Sequence, residues 1–244
     1  GNQLAVFRHT AHLTSEEMLA ISREMNFSET TFILSDEPTE EGYEVRIFTP
    51  SEEVPFAGHP TLGTAFVIRN EILGKPVDQI KLKLKVGTIP VTFDTNTNGM
   101  AWMQQQGPKF GEIVEAETVA RMLGLPLSSI DTRFPIQEVS TGLPALIVPL
   151  INLEAVRSCK VNREQYYQLI EQLDAKMVLV FCSETYHNSN QINSRVFGDY
   201  YGAPEDPATG SANGDLAGYL IKHHYFGNDT IDIRVEQGFE VNRP

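Results

Sequence analysis

The sequence predicts an α+β fold made of two similar halves, and three patterns carry this prediction. A helix with clear start and stop signals is expected over residues 14–26. A meander of alternating apolar residues lies at residues 80–93, which is typical of antiparallel strands that bury one face. A strand that leads into a helix start rich in small residues occurs once in each half, which indicates duplication of one unit.

The first helix is predicted from the stretch LTSEEMLAISREM. Thr14 suits the N-cap position and Glu17 lies three residues further on, which is the pattern of a capping box. Leu13 and Met18 are spaced to pack against each other as a hydrophobic staple. We expect the helix to end near Asn26 and the following SETTFIL to form a strand.

The rest of the first half is expected to contain strands and one more helix. We predict a strand at YEVRIFTP, a helix over residues 60–69, and a turn at NTNG, residues 96–99, before the strand MAWMQQQ. The meander alternates, so its lysines should point to solvent. The residues expected to point inward are Ile80, Leu82, Leu84 and Val86.

A domain boundary is predicted at GPKFGE, residues 107–112, because this stretch carries two glycines and one proline. We therefore predict an N-terminal domain over residues 1–106 and a C-terminal domain over residues 112–244. The second domain should mix helices and strands. Its expected elements are helices over residues 116–123, after Asn162 and from near Ser211, and strands at ALIVPL, MVLVFC and NSRVF.

The two halves share a short pattern. Arg46 opens the stretch RIF, and the helix start GHPTLGTA begins twelve residues after this arginine. Arg195 opens the stretch RVF, and TGSANGDLA begins fourteen residues after it. This pattern indicates a duplicated unit, and the alternative is a chance match of two short segments.

Composition and charge limit the classes of partner and the compartment that the sequence allows. The net charge of −13 argues against nucleic acid and anionic membranes as partners. The longest apolar runs are far shorter than the roughly 20 residues that span a bilayer. Cys159 and Cys182 belong to no CxxC pattern. We therefore expect two free thiols, a reducing compartment and a cytoplasmic location, with a single disulfide as the alternative.

One histidine lies at an unusual place, in the stretch AGHPTLG. Pro60 suits the first helical position, so His59 is predicted to be the N-cap. Backbone N–H groups at such a start can hold a carboxylate or a phosphate. The helix dipole should also favour the neutral imidazole. The alternative is that His59 only caps a buried helix.

A second helix start of the same design occurs in EDPATGSANGDLAGYL. Thr209, Gly210 and Ser211 supply small, donor-rich positions, and Asp206 lies just before them. Two opposed helix starts would hold one anionic group from both sides. The alternative is that Asp206 is a capping or Asx-turn residue ahead of Pro207.

A carboxylate lies between the first helix and the next strand, in NFSETTF. Because Glu29 leads into a largely apolar strand, we expect partial desolvation and a pKa raised into a range useful for acid–base chemistry. The alternative is an ordinary exposed loop glutamate. The sequence contains no GxxxxGK[ST], HExxH or dinucleotide fingerprint. No metal and no cofactor are therefore expected.

Together these stretches resemble the phenazine-biosynthesis PhzF-like family, which has the diaminopimelate epimerase fold. The resemblance implies two domains, each a curved sheet around one central helix, with a ligand cleft between them. It also implies an acid–base role for Glu29 and site roles for His59 and Asp206. The residues expected to bind substrate are Asn2, Gly58, Thr61, Thr209, Gly210 and Ser211. The segments that carry the resemblance are GNQLAV, LTSEEMLAISREMNFSETTFIL, RIFTPSEEVPFAGHPTLGTA, STGLPALIVPL and EDPATGSANGDLAGYL.

Two departures from that family pattern bear on function. Diaminopimelate epimerases place one cysteine at each helix start, and neither AGHPTLG nor ATGSANG contains one. Racemisation by two thiols is therefore disfavoured. Family members also have a strand before GN and a strand pair after NRP, so we expect both domains to lack terminal strands. The resemblance further implies a homodimer.

The prediction is a cofactor-independent isomerase that moves a proton between carbons of a small carboxylate-bearing metabolite, with Glu29 as general acid and base. One carboxylate that returns the proton it took fits an allylic shift better than stereoinversion. Two alternatives stay open. One is a non-catalytic small-molecule or protein-binding member of the same fold, and the other is an amino-acid epimerase.

Overall fold

The computed structural model describes residues 2–94 and 100–243. The chain divides into two compact units, Gly1–Gln106 and Gly107–Pro244. Each unit contains a mixed sheet and helices, so the predicted α+β class is confirmed. The turn predicted at NTNG lies outside the described residues.

The first unit is a mixed sheet that curves around one helix. In the described part, the sheet order is β1-β2-β3-β5-β6-β7, and β4 also pairs with β3. Helix α2 contacts β1 and β2 on one side and β5, β6 and β7 on the other, so the sheet wraps around it. The elements are β1 (Leu4–Phe7), α1 (Ser15–Met25), β2 (Glu29–Ile33), β3 (Tyr43–Phe48), β4 (Glu53–Val54), α2 (Gly58–Val67), β5 (Gln79–Leu84), β6 (Gly87–Asp94) and β7 (Met100–Met103).

Helix α1 forms as predicted from its local signals. The Glu17 N–H donates to Thr14 Oγ1 at 3.2 Å, and the Thr14 N–H donates to Glu17 Oε2 at 2.8 Å, which completes the capping box. Asn26 ends the helix in the left-handed conformation, with φ 52°. Met18 is buried against a small cluster on which Leu13 also packs, as the staple requires.

Helix α2 begins two residues earlier than predicted, at Gly58 rather than Pro60. Ala57, not His59, is the N-cap, with extended backbone at φ −152° and ψ 141°. The prediction was wrong because a proline fits every position of the first turn, where no N–H is needed, and so does not define the register. The helix ends at Val67 and continues as a π-helical turn, so the predicted end at residue 69 is also approximate.

The meander buries the residues that its alternation predicted, with one exception. Ile80, Leu82 and Leu84 of β5 are all buried. Val86 is only half-buried, because β5 ends at Leu84 and the chain turns before Val86 can join the inward row.

The second unit has a mixed sheet with helices on both faces. In the described part, the order is β13-β12-β11-β10-β9-β8, and β14 pairs in parallel with β12. The elements are β8 (Lys109–Val114), α3 (Ala116–Met122), β9 (Ile136–Ser140), β10 (Ala145–Pro149), α4 (Leu153–Ser158), α5 (Arg163–Ile170), β11 (Met177–Cys182), β12 (Ile192–Gly198), β13 (Ala203–Asp206), α6 (Gly210–Lys222) and β14 (Val235–Glu236). Strand β8 occupies most of the expected linker.

Two apolar layers explain why β11 is buried along its whole length. Leu179 and Phe181 belong to a cluster that includes Leu216 and Tyr219 of α6. Val178 and Val180 belong to the other cluster, formed with α3, α4 and α5. A strand covered on both faces reads as a continuous apolar run, as MVLVFC does.

The two units repeat one connectivity. In the first, β1 and β2 are parallel, β2–β3 and β3–β4 are antiparallel, α2 follows, and β5 pairs in parallel with β3. In the second, β10 to β14 and α6 repeat this arrangement in the same order. Arg46 and Arg195 occupy the same strand position and each forms a bidentate ion pair, with Glu53 and Glu205 respectively. The predicted duplication is confirmed.

Candidate active site

The first unit brings Glu29 and His59 together. Glu29 is the first residue of β2 and His59 is the second residue of α2. Their Oε2 and Nε2 atoms lie 3.4 Å apart, with 19% and 27% of the side chains exposed. Helix and strand are held in contact by the hydroxyls of Thr31 and Thr64, 2.9 Å apart and buried. Glu29 is therefore not the exposed loop residue of the alternative interpretation, and His59 is not the N-cap.

Asn2 lies at the same end of the sheet as Glu29. Strands β1 and β2 are parallel, and Leu4 is opposite Glu29 in their register. Asn2 precedes Leu4 by two residues, so the chain brings this residue to the edge where β2 begins. The predicted substrate-binding role of Asn2 stays a prediction.

Gly58 and Thr61 differ in what they offer a ligand. Gly58 is the first residue of α2, where backbone N–H groups lack partners within the helix. The side chain of Thr61 is buried, and its hydroxyl donates to the carbonyl of Ala57 at 2.7 Å. The Thr61 N–H donates to the same carbonyl at 3.3 Å. Both donors of Thr61 are thus used inside the helix, which favours a role in fixing the helix start over direct binding.

The second unit brings Asp206 and Thr209 together at the start of α6. Asp206 is the last residue of β13, and Thr209 is the N-cap of α6. The Thr209 hydroxyl lies 2.5 Å from Asp206 Oδ2 and donates to it. Gly210 and Ser211 are the first two helical residues, and Ser211 is buried. Asp206 thus accepts a hydrogen bond from the side chain of the N-cap residue, and its predicted site role stays a prediction.

Neither helix start is capped by its own N-cap side chain. Ala57 has no polar side chain, and the side chain of Thr209 makes no capping hydrogen bond to α6. A helix start that its own N-cap leaves uncovered is suited to an anion, because the N–H groups and the helix dipole both point toward it. Each unit thus presents one such start.

Three further residues contact these helix starts or the strands before them, and the sequence patterns did not predict their roles. Glu53 and Glu205 each lie five residues before the first residue of the helix, and each is held by the arginine of the preceding strand. The equal spacing in EVPFAG and EDPATG was the signal that could have found them. Gln237 contacts the Asp206 turn from a distant part of the chain, and no local signal predicts that contact.

Both cysteines of the chain lie in the second unit. Cys159 and Cys182 are buried free thiols, and desolvation raises the pKa of each to about 12. Within residues 2–94 and 100–243, no cluster of three or more His, Cys, Asp or Glu side chains is arranged to hold a metal ion. Over the same residues, no helix has the length and apolar character needed to cross a membrane.

Known proteins resemble the whole chain. A trans-2,3-dihydro-3-hydroxyanthranilate isomerase of Pseudomonas aeruginosa is 34% identical over 249 residues, covering 100% of this chain and 82% of the relative. An uncharacterized isomerase of Pasteurella multocida is 32% identical over 247 residues, covering 100% of this chain and 79% of the relative. A crystal structure of a phenazine biosynthesis protein of the PhzF family from Bacillus anthracis has a TM-score of 0.84 at 30% identity, covering 100% of this chain and 82% of that one.

The fold and these relatives define the class of protein as an isomerase-type enzyme. The chain belongs to the phenazine biosynthesis-like protein family, whose model matches residues 1–244. The resemblance inferred from the sequence is confirmed.

Proposed function

We propose that the protein is a cofactor-independent isomerase that moves a proton between two carbons of a small carboxylate-bearing metabolite. The observation that carries this proposal is the pairing of Glu29 with His59, 3.4 Å apart at the start of β2 and α2. A mostly covered carboxylate beside an imidazole is a suitable acid–base group for a weak carbon acid. The raised pKa of Glu29 and the neutral state of His59 stay predictions.

Each step of the proposed reaction balances without a redox partner. The ionised Glu29 carboxylate removes a proton from a carbon next to a conjugated system, and the electron pair moves into that system. The protonated Glu29 then returns the proton to another carbon, which regenerates the carboxylate. His59 and Asp206 orient the amino or hydroxyl substituent of the substrate. The substrate carboxylate docks on backbone N–H groups at a helix start, with Gly58 of α2 or Gly210 and Ser211 of α6 as the donors, because the Thr209 N–H already donates to Gln237.

The experiment is proton exchange in heavy water, followed by mass spectrometry and NMR. Because a 34% identical relative is named trans-2,3-dihydro-3-hydroxyanthranilate isomerase, that compound is the first probe. We expect Glu29→Gln to lose exchange and isomerisation by at least about 10²-fold while substrate binding, measured by calorimetry, is retained. Glu24→Gln is the matched control, because Glu24 is an exposed residue of α1. Exchange at the parent rate in Glu29→Gln would reject the assignment.

The alternatives give different results in the same assay. A non-catalytic binding member of the fold would bind a compound from a panel of small carboxylates and incorporate no deuterium. An amino-acid epimerase would incorporate deuterium and invert a stereocentre, which chiral chromatography detects. Size-exclusion chromatography with light scattering tests the proposed homodimer.

A further inference from the structure

Gln237 holds the turn that carries Asp206. Its side-chain Nε2 donates to the backbone carbonyl of Asp206 at 2.6 Å and to the hydroxyl oxygen of Thr209 at 3.1 Å. Its Oε1 accepts from the backbone N–H of Thr209 at 3.2 Å. One amide group thus connects both ends of the turn between β13 and α6.

These contacts determine the direction of the hydrogen bonds. The Asp206 carbonyl can only accept and the Thr209 N–H can only donate, so the Gln237 amide has one orientation that satisfies both. In that orientation Nε2 also donates to Thr209 Oγ1. The single hydroxyl proton of Thr209 therefore points to Asp206 Oδ2, 2.5 Å away. The result is a chain of hydrogen bonds in which Gln237 donates to Thr209 and Thr209 donates to the Asp206 carboxylate.

The backbone that carries Gln237 is itself held firmly. Glu236 is opposite Asn193 in the pairing of β14 with β12. Its buried carboxylate accepts from four N–H groups at 2.6–3.2 Å. The donors are the backbone N–H groups of Tyr186 and His187 and the side chains of Asn190 and Asn193.

On the other side of Gln237, Gly238 has φ +91°, and a Cβ at that position would lie 2.9 Å from the Pro207 carbonyl. Residues 236–238 are therefore fitted closely against the Asp206 turn. A side chain on so rigid a frame can hold its partner with little loss of conformational entropy.

We infer that Gln237 is a positioning residue for the Asp206 carboxylate, acting through the hydroxyl of Thr209. This inference rests on the proposed function, because the orientation of Asp206 affects turnover only if Asp206 contacts substrate. Rotation of the Asp206 carboxylate is restricted because Oδ2 accepts a hydrogen bond from the Thr209 hydroxyl, and the N–H of Gln237 occupies another direction around the same hydroxyl oxygen, where the proton cannot point. Small losses of such positioning reduce the rate of the chemical step more than they reduce binding.

The first test uses NMR and needs no substrate. Thr209 is mostly buried, so its hydroxyl proton should exchange slowly and give a resonance that Thr209→Val abolishes. In Gln237→Met, which keeps the side-chain length and removes the amide, we expect the hydroxyl proton to exchange faster with water, so that its resonance is lost. Gln191→Met is the matched control, because Gln191 is also half-buried and bonds to Ser189 and Arg234 in the neighbouring segment. An unchanged resonance in Gln237→Met, or none in the parent protein, would overturn the inference.

The second test uses turnover of the probe compound. We expect Gln237→Met to lower kcat by about tenfold or more with KM changed less than about twofold, as misplacement of a reacting group predicts. This loss of kcat should largely vanish when Gln237→Met is combined with Thr209→Val, because the hydrogen-bond chain is already broken in Thr209→Val. Equal losses in both backgrounds would show that Gln237 acts independently of the Thr209 hydroxyl and would overturn the inference. Should the parent protein turn over no substrate, the proposed function fails while the NMR test still decides the hydrogen-bond chain.

Discussion

Ser211 occupies in the second unit the position that His59 occupies in the first: each is the second residue of the central helix. Each also lies six residues after a glutamate, Glu53 or Glu205, that forms a bidentate ion pair with an arginine of the preceding strand. The same backbone frame thus presents an imidazole in one unit and a hydroxyl in the other. This asymmetry favours one acid–base centre, at Glu29 and His59, over a pair of matched bases.

Substitutions at the two equivalent positions should therefore have unequal effects. We expect His59→Asn to lower kcat/KM by about 10²-fold, because the imidazole next to Glu29 is removed. Ser211→Ala should cost less than about tenfold, since the backbone N–H groups of α6 remain for binding. Steady-state kinetics with the probe compound measures both. Losses of equal size would contradict the assignment of acid–base chemistry to the first unit.

The two arginine–glutamate pairs should differ in their contribution to stability. Arg195 and Glu205 are 8% and 14% exposed, and Arg195 also donates to three backbone carbonyls near the end of α4. We expect Arg195→Ala to lower the free energy of unfolding by roughly 3–5 kcal/mol, because the mostly buried charge of Glu205 loses its arginine partner. Arg46→Ala should cost about 1–2 kcal/mol, since Glu53 keeps Lys85 at 2.9 Å. Urea unfolding gives both values, and the reverse order would be incompatible with this account.

Asp215 should make stability depend on pH. This side chain on α6 is fully buried, and desolvation raises its pKa to about 7 although Thr141 donates two hydrogen bonds, at 2.6 and 2.8 Å. Because the folded-state pKa exceeds the ordinary value of 3.8, the protonated form favours the folded state. Its stabilising contribution is complete below about pH 4 and is lost as pH rises through about 7.

Comparison of the parent protein with Asp215→Asn isolates this effect. Between about pH 4 and pH 7 the free energy of unfolding of the parent should fall relative to that of the variant. The fall should be at most about 1.4 kcal/mol for each pH unit. Urea unfolding at pH 4.5, 6 and 8 measures the difference. A difference that stays constant over this range would show that Asp215 does not titrate as stated.

The thiols of Cys159 and Cys182 should react slowly in the native protein. Burial raises the pKa of Cys159 and Cys182 to about 12, so thiolate is scarce at neutral pH. We expect alkylation of the native protein by iodoacetamide to be slow and to become rapid only in urea, as mass spectrometry can follow. The double variant Cys159→Ala, Cys182→Ala should keep its turnover within about threefold of the parent, provided it remains folded. A loss of 10²-fold in a folded double variant would revive thiol chemistry.

Local sequence patterns determined the elements and the positions where the site residues enter the chain. The capping box of α1, the cap of α5 by Asn162 and the alternation of β5 depend on residues a few positions apart, so they could be predicted from the sequence. The repeated helix starts also marked His59 and Asp206, and the stretch NFSETTF marked Glu29, as residues at element boundaries. The start of α2 was predicted two residues too late, because proline is accepted throughout the first turn of a helix.

Only the tertiary structure decided which of these residues meet. Glu29 and His59 are thirty positions apart, and their contact exists because α2 packs on β2 through buried threonines. Gln237 reaches Asp206 because β14 pairs with β12, a register that no local pattern records. Contacts of this kind depend on the burial of whole faces and on the twist and order of the strands. These are properties of the packed chain as a whole, so short stretches of sequence carry little information about them.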